Sequence, residues 1–164
     1  MGARNGRPRA AVLVPTGERS RSPCCGDTSS AVSDLDSDLA RELLEGPFPC
    51  CLTTLGADGA PYSVVVWCGR DGERVTVNAA HGRWLGNLRR DPRVSLVVVH
   101  TDDILRYLAV QGAAVAIEPD EGYAHINALS EIYEGGPYTY SKPEHVERFR
   151  VAIEPEATRV VDLA

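Results

Sequence analysis

Apolar residues fall in short bursts along this chain, and their spacing changes from burst to burst. Leu35, Leu39, Leu43 and Leu44 recur at helical spacing and share one face. Ser33 or Asp34 is placed to cap the first turn, acidic Asp34 and Asp36 suit its positive end, and Gly46-Pro47 ends it. Phe48 to Leu55 then reads as a strand. Two Val-rich runs follow, Tyr62 to Cys68 and Arg74 to Ala80, carrying Tyr, Trp or Thr that suit a pleated surface. The turn signals Ala57-Asp58-Gly59-Ala60 and Gly69-Arg70-Asp71-Gly72 flank the first run, and Asp-Gly between such runs predicts a hairpin. The pattern next turns helical and basic. Gly82 opens a short segment with Trp84, Leu85 and Leu88 on one side and Arg83, Arg89 and Arg90 on the other, and Asp91-Pro92 stops it.

Val94 to His100 is a further strand. Tyr107 to Ile117 is a longer one, with a bulge or bend expected at Gly112. Pro119-Asp120 starts a second clear helix, whose apolar side is Tyr123, Ile126, Leu129, Ile132 and Tyr133 and whose end is Gly135-Gly136-Pro137. Glu147 to Ile153 and Arg159 to Leu163 predict two closing strands. The sum is a mainly β (α+β) fold of about six or seven antiparallel strands with two or three helices. Short hairpin links without β-α-β alternation favour a small barrel over a Rossmann sheet. Residues 1–32, rich in Gly, Pro, Arg and Ser, are expected to form a mostly disordered extension, leaving 33–164 as the folded domain.

The 164 residues suffice for one domain with one core. A net charge of -6 argues against general nucleic-acid binding. No apolar run approaches the roughly 20 residues of a membrane helix, and no secretory h-region is seen. Cys24, Cys25, Cys50, Cys51 and Cys68 are odd in number and lack Cys-x-x-Cys spacing, so a reduced, cytoplasmic chain is the simplest expectation. Cys50 and Cys51, adjacent in a strand, should face opposite ways. His81, His100, His125 and His145 lie on separate elements without ligand spacing, and no metal site is expected. The Gly-x-Gly-x-x-Gly, P-loop, Gly-x-Ser-x-Gly and His-Glu-x-x-His signatures are missing. What remains is local. Arg83, Arg89 and Arg90 follow a strand that ends in Asn78-Ala79-Ala80, beside a Gly, and form either a solvated helix face or a phosphate seat. Trp67 is either core or one wall of a flat aromatic site.

The order of these pieces resembles a known family. Leu-Thr-Thr-Leu-x-x-Asp-Gly-x-Pro from Leu52, Val-Val-Val-Trp from Val64 and Asp-Gly-Glu-Arg-Val-x-Val-Asn from Asp71 come first. Gly82-Arg83, Asn-Leu-Arg-Arg-Asp-Pro-Arg-Val from Asn87, Arg-Tyr-Leu-x-Val-x-Gly from Arg106 and His-Ile-Asn-x-Leu from His125 follow. Together they resemble the pyridoxamine 5′-phosphate oxidase-like split-barrel proteins, and within them the deazaflavin branch that uses coenzyme F420. The likeness spans roughly Leu35 to Ala164. It implies a split β-barrel that forms a homodimer, with a flavin or deazaflavin in the groove between subunits. The strand Val64, Val65, Val66, Trp67 would run along the ring. Asn78, Ala79, Arg83, Asn87 and Arg90 would hold the phosphate side, and the loop from Thr101 to Tyr107 would lie near the cofactor or the substrate mouth. Relatives often carry Gly-Arg-x-Lys-x-x-Asn-Leu, with a phosphate-binding lysine, where this chain has the shorter Gly82-Arg83-Trp84-Leu85-Gly86-Asn87-Leu88 and no lysine, which leaves Arg83 to pair with the phosphate. The Arg- and Trp-bearing substrate motif of true pyridoxamine phosphate oxidases is replaced by Val160-Val161-Asp162-Leu163-Ala164, so that substrate is not expected.

The implied activity is reduction of an electron-poor double bond in a small organic substrate, with reduced F420 as hydride donor. Water, His100 or Tyr107 would supply the proton. Two alternatives stay open: an FMN-dependent oxidase or reductase on the same barrel, and a non-catalytic flavin- or tetrapyrrole-binding protein.

Overall fold

The structure is a computed structural model and describes residues 34–139 and 146–163. The extension expected at residues 1–32 lies outside the described residues. A short 3-10 turn, Asp34–Asp36, leads into helix α1, Asp38–Glu45. Ser37 caps α1, its hydroxyl accepting the Ala40 N–H at 3.3 Å, so the cap falls a few residues later than Ser33 or Asp34. Leu35, Leu39, Leu43 and Leu44 are all buried, as their spacing predicted.

The remaining elements are β1 (Cys50–Leu55), β2 (Pro61–Val66), β3 (Cys68–Asp71), β4 (Arg74–Ala80), α2 (Arg83–Arg90), β5 (Arg93–Val99), β6 (Arg106–Pro119), α3 (Ala124–Glu134) and β7 (Arg148–Asp162). Seven strands form one antiparallel sheet in the order β2-β1-β5-β6-β7-β4-β3. Gly59 at φ 77° and Gly72 at φ 60° supply the left-handed residues of the β1–β2 and β3–β4 turns.

Tyr62 to Cys68 is not one strand. It divides at Trp67 into β2 and β3, which stand at opposite ends of the strand order. Two Cα–Cα steps of about 3.8 Å bring Val66 and Cys68 within about 7.6 Å. The two ends of the sheet must therefore approach each other, and the sheet curls into a split barrel. Nothing in the unbroken apolar run marks this crossing.

The two predicted closing strands are instead a single strand, β7, which pairs with β4 along its first half and with β6 over most of its length. Pro155 reads as a break, but it lies opposite Gly112, where the β6–β7 register shifts between Gln111 and Gly112. A bulge accommodates a proline that a regular ladder would reject. Gly112 is required there: a Cβ would sit 2.1 Å from the Glu154 carbonyl oxygen.

Leu52, Val75, Val77, Leu96, Val98, Leu108, Val110, Val151 and Ile153 fill the barrel. Leu35, Leu39, Leu43 and Leu44 close it from the first helical segment, and Leu85 and Leu88 of α2 join the same core. Ile126 and Leu129 of α3 are buried, but Ile132 is 39% exposed and does not belong to the packed side. Cys50 is buried and Cys51 exposed, as strand alternation requires. Among the described residues no helix is long and apolar enough to cross a membrane.

Candidate functional site

The Trp67 junction opens onto a cleft of about 300 Å3, lined by Val65, Val66, Trp67, Asn78, Ile126, Tyr138 and Arg148. Its aromatic wall is fixed from behind. Trp67 stacks on Tyr133 with centroids 5.2 Å apart and planes 20° from parallel, and Tyr138 meets Trp67 edge-on at 6.1 Å. The Tyr133 hydroxyl accepts the Cys68 N–H at 3.1 Å and donates to the Phe48 carbonyl at 2.9 Å. Helix α3 thereby pins the crossing. Burial pushes the Tyr133 hydroxyl well above its ordinary range, so it stays protonated. The Cys50 thiol is also pushed far up, by contact with Cys68 and by burial, and is no thiolate nucleophile.

Five polar side chains form one network at the cleft: Tyr138, Arg148 and Asn78 line it, and Asp120 and His125 contact Asn78. The Asn78 carbonyl oxygen accepts from Arg148 Nε at 2.6 Å, and its amide nitrogen donates to Asp120 Oδ2 at 2.8 Å. Arginine only donates and a carboxylate only accepts, so this pairing fixes the orientation of the amide. The same amide nitrogen lies 3.1 Å from His125 Nδ1, which must accept, leaving the imidazole proton on Nε2. Burial pushes His125 below its ordinary value, and its Nε2 is buried with no partner among the described residues. Asp120 is committed to the start of α3, where its two oxygens accept the His125 and Ile126 N–H groups at 2.8 and 2.9 Å. Arg148 Nη1 donates to the Tyr138 hydroxyl at 3.1 Å, with the guanidinium 4.7 Å from that ring.

A second basic region lies toward the start of β2. Arg83, the first residue of α2, is exposed and stacks 4.6 Å from the Tyr62 ring. Arg89 stacks 4.6 Å from Phe149. Neither has an ion-pair partner among the described residues. Arg90 donates to the Leu55 carbonyl at 2.7 Å and to Asn87 Oδ1 at 3.1 Å, while Asn87 Nδ2 donates to Thr54 Oγ1 at 3.0 Å. At about 3.3 Å per residue, β2 separates Tyr62 from Trp67 by about 17 Å.

Of the residues singled out from sequence, the structure gathers Val65, Val66, Trp67 and Asn78 around one cleft. Val64 packs against the core and Ala79 is buried in it. Asn87 and Arg90 are bonded to β1, and Arg83 stands apart near Tyr62. His100 is buried beside Phe48; its Nδ1 accepts the Asp102 N–H and its Nε2 faces Glu42 at 3.3 Å. Tyr107 lies on β6 opposite Val99 and Val161. Neither lines the cleft. Arg148, Tyr138 and Asp120 were not singled out. In sequence Asp120 stands only as a helix start, and Arg148 only as the second residue of a predicted closing strand.

The residues present suit a flat anionic ligand. The cleft offers apolar and aromatic surfaces, β2 main chain and one guanidinium without a carboxylate beside it among the described residues. Among the described residues no cluster of metal-ligating side chains occurs.

Residues 37–162 match the sequence family described as pyridoxamine 5′-phosphate oxidase. No curated protein matches the sequence significantly. Solved structures do. An F420 reductase is 30% identical, with a TM-score of 0.65 over 73% of this chain and 94% of that one. A conserved hypothetical protein from Mycobacterium tuberculosis is 25% identical, with a TM-score of 0.62 over 84% and 90%. A protein of unknown function from Agrobacterium tumefaciens shares the fold at 22% identity, with a TM-score of 0.61 over 86% and 60%.

Proposed function

Since this chain belongs to the pyridoxamine 5′-phosphate oxidase family of split-barrel proteins, we propose that it is an oxidoreductase using reduced coenzyme F420. The reaction is hydride transfer to an electron-poor double bond of a small organic substrate. The observation that carries this reading is the 30% identity to an F420 reductase across 94% of that protein. The wall formed by β2 and Trp67 supports it. When bound, the deazaflavin supplies the hydride. The chain supplies the seat: Val65, Val66 and Trp67 give a flat wall, and Arg83, without an ion-pair partner among the described residues, gives a guanidinium for a phosphate. With His100 and Tyr107 outside the cleft, the proton comes from water entering its open side.

The cofactor-binding unit is residues 33–164, acting in the cytoplasm. Its partner is a second copy. Val65, Cys51, Val97 and Ala109 stand side by side across β2, β1, β5 and β6 on the outer face, with Val65 74% exposed. A monomer by analytical ultracentrifugation at micromolar concentration would contradict the dimer.

Titration of the purified chain with F420 and with FMN, followed by cofactor fluorescence, tests the assignment. Saturable binding of F420 in preference to FMN supports it. Preference for FMN assigns the alternative cofactor, and no binding of either below about 1 mM, roughly -4 kcal/mol, removes both.

A further inference from the structure

We propose that the cleft selects a flat, conjugated carboxylic acid as its substrate, with the carboxylate on Arg148 and the plane against Trp67 and Tyr138. This deepens the reductase reading, on which it rests for the reaction but not for the binding.

The guanidinium is held in place before any ligand arrives. Asn78 takes its Nε hydrogen and Tyr138 one Nη1 hydrogen. A guanidinium carries five N–H donors, so three remain without a partner among the described residues. The carboxylate in this network is Asp120, and Asn78 is bonded between it and Arg148. Asp120 spends its oxygens on the Asn78 amide and on two N–H groups at the start of α3. Arg148 is thus partly buried, immobilised and without a counter-ion among the described residues. That costs desolvation energy which an anionic ligand offsets.

The shape of the cleft narrows the class. Trp67 is backed by Tyr133 and met edge-on by Tyr138, and Ile126 completes the apolar end of the slot that a cofactor ring on Val65 and Val66 leaves open. Such a slot takes a planar, delocalised body with one charged end. The cofactor phosphate is assigned to Arg83, beyond the far end of β2, so it is not the anion for Arg148. Conjugation also fits the reaction. A hydride added at the β-carbon of an α,β-unsaturated acid leaves charge on the carboxyl oxygens, where Arg148 stabilises it. A proton from water then reaches the α-carbon and the saturated acid results, the reduced deazaflavin being the reductant consumed.

An anionic edge of the cofactor ring could engage Arg148 instead, and the test separates the two. Isothermal titration of the full chain, with and without saturating F420, compares cinnamate with its uncharged methyl ester. The proposal expects the acid to bind at least about tenfold tighter than the ester. It expects Arg148→Gln to bring the two within about twofold, and Arg148→Lys to restore part of the difference. F420 affinity should stay within about threefold in Arg148→Gln. Equal binding of acid and ester in the unmodified chain overturns the proposal, as does absence of cinnamate binding below about 10 mM. A tenfold loss of F420 affinity in Arg148→Gln with no change in the acid-to-ester ratio assigns Arg148 to the cofactor and equally overturns it. The acid–ester comparison needs no variant, so it decides even if a substitution fails to fold.

Discussion

Asn87→Ala separates a structural from a ligand-binding role in the basic helix. Asn87 is only 4% exposed and Thr54, its partner, is fully buried. The substitution removes the 3.0 Å bond from Asn87 Nδ2 to Thr54 Oγ1 and the 3.1 Å bond from Arg90 to Asn87 Oδ1. The Thr54 hydroxyl keeps the Tyr62 carbonyl at 3.4 Å, and exposed Arg90 keeps the Leu55 carbonyl and water. One buried hydrogen bond and a small void are therefore lost, about 1.5–2.5 kcal/mol together. Alanine returns about 0.5 kcal/mol through better helix propensity. The net expectation is a loss of about 1–2 kcal/mol, or about 4–8 °C in Tm for a domain of this size. Urea unfolding followed by tryptophan fluorescence measures it, with an unchanged m-value. Thr54→Val should cost less on the Asn87→Ala background than alone, because both remove the same bond. A loss below about 0.5 kcal/mol accompanied by a tenfold weaker cofactor complex would refute the reasoning and place the amide in the ligand seat.

Three further perturbations follow from the same geometry. Arg83→Ala should change stability by less than about 0.5 kcal/mol, since the side chain lies exposed on Tyr62, yet weaken F420 binding by about 1.5–3 kcal/mol in a fluorescence titration. An unchanged dissociation constant moves the phosphate to Arg89 or Arg90. Gly112→Ala places a Cβ 2.1 Å from the Glu154 carbonyl and should cost at least about 2 kcal/mol by thermal melting; a near-neutral result would mean that the bulge yields freely. Burial lowers the His125 pKa below 6.5, so the unfolded chain binds more protons there than the native one. Stability should fall as pH drops below about 6.5, level off below the folded pKa, and lose this slope in His125→Asn; identical urea profiles from pH 5 to 8 would remove the residue as the cause.

Leucine spacing located α1, and Asp-Gly turns located both hairpins, because helix faces and tight turns are set by neighbours in sequence. The bulge at Gly112 was legible for the same reason. The crossing at Trp67 was not, since a run of valines looks alike whether it continues one strand or joins two. Nor was the unity of β7, because Pro155 signals an ending unless its bulged partner is known. Within the site, Val65, Val66, Trp67 and Asn78 lay in motifs readable along the chain. Arg148 reaches Asn78 across 70 positions and Asn78 reaches Asp120 across 42, and such pairings follow from topology alone. The bonds that tie Asn87 and Arg90 to β1 were hidden likewise.

One residue spans the two outermost strands, and this leaves the barrel no slack at its mouth. A molecule settling on Trp67 loads both rims together, with Tyr133 as the hinge pin behind them. A ligand held there would bear on both edges of the sheet, so a substitution that loosens either β2 or β3 should weaken its hold.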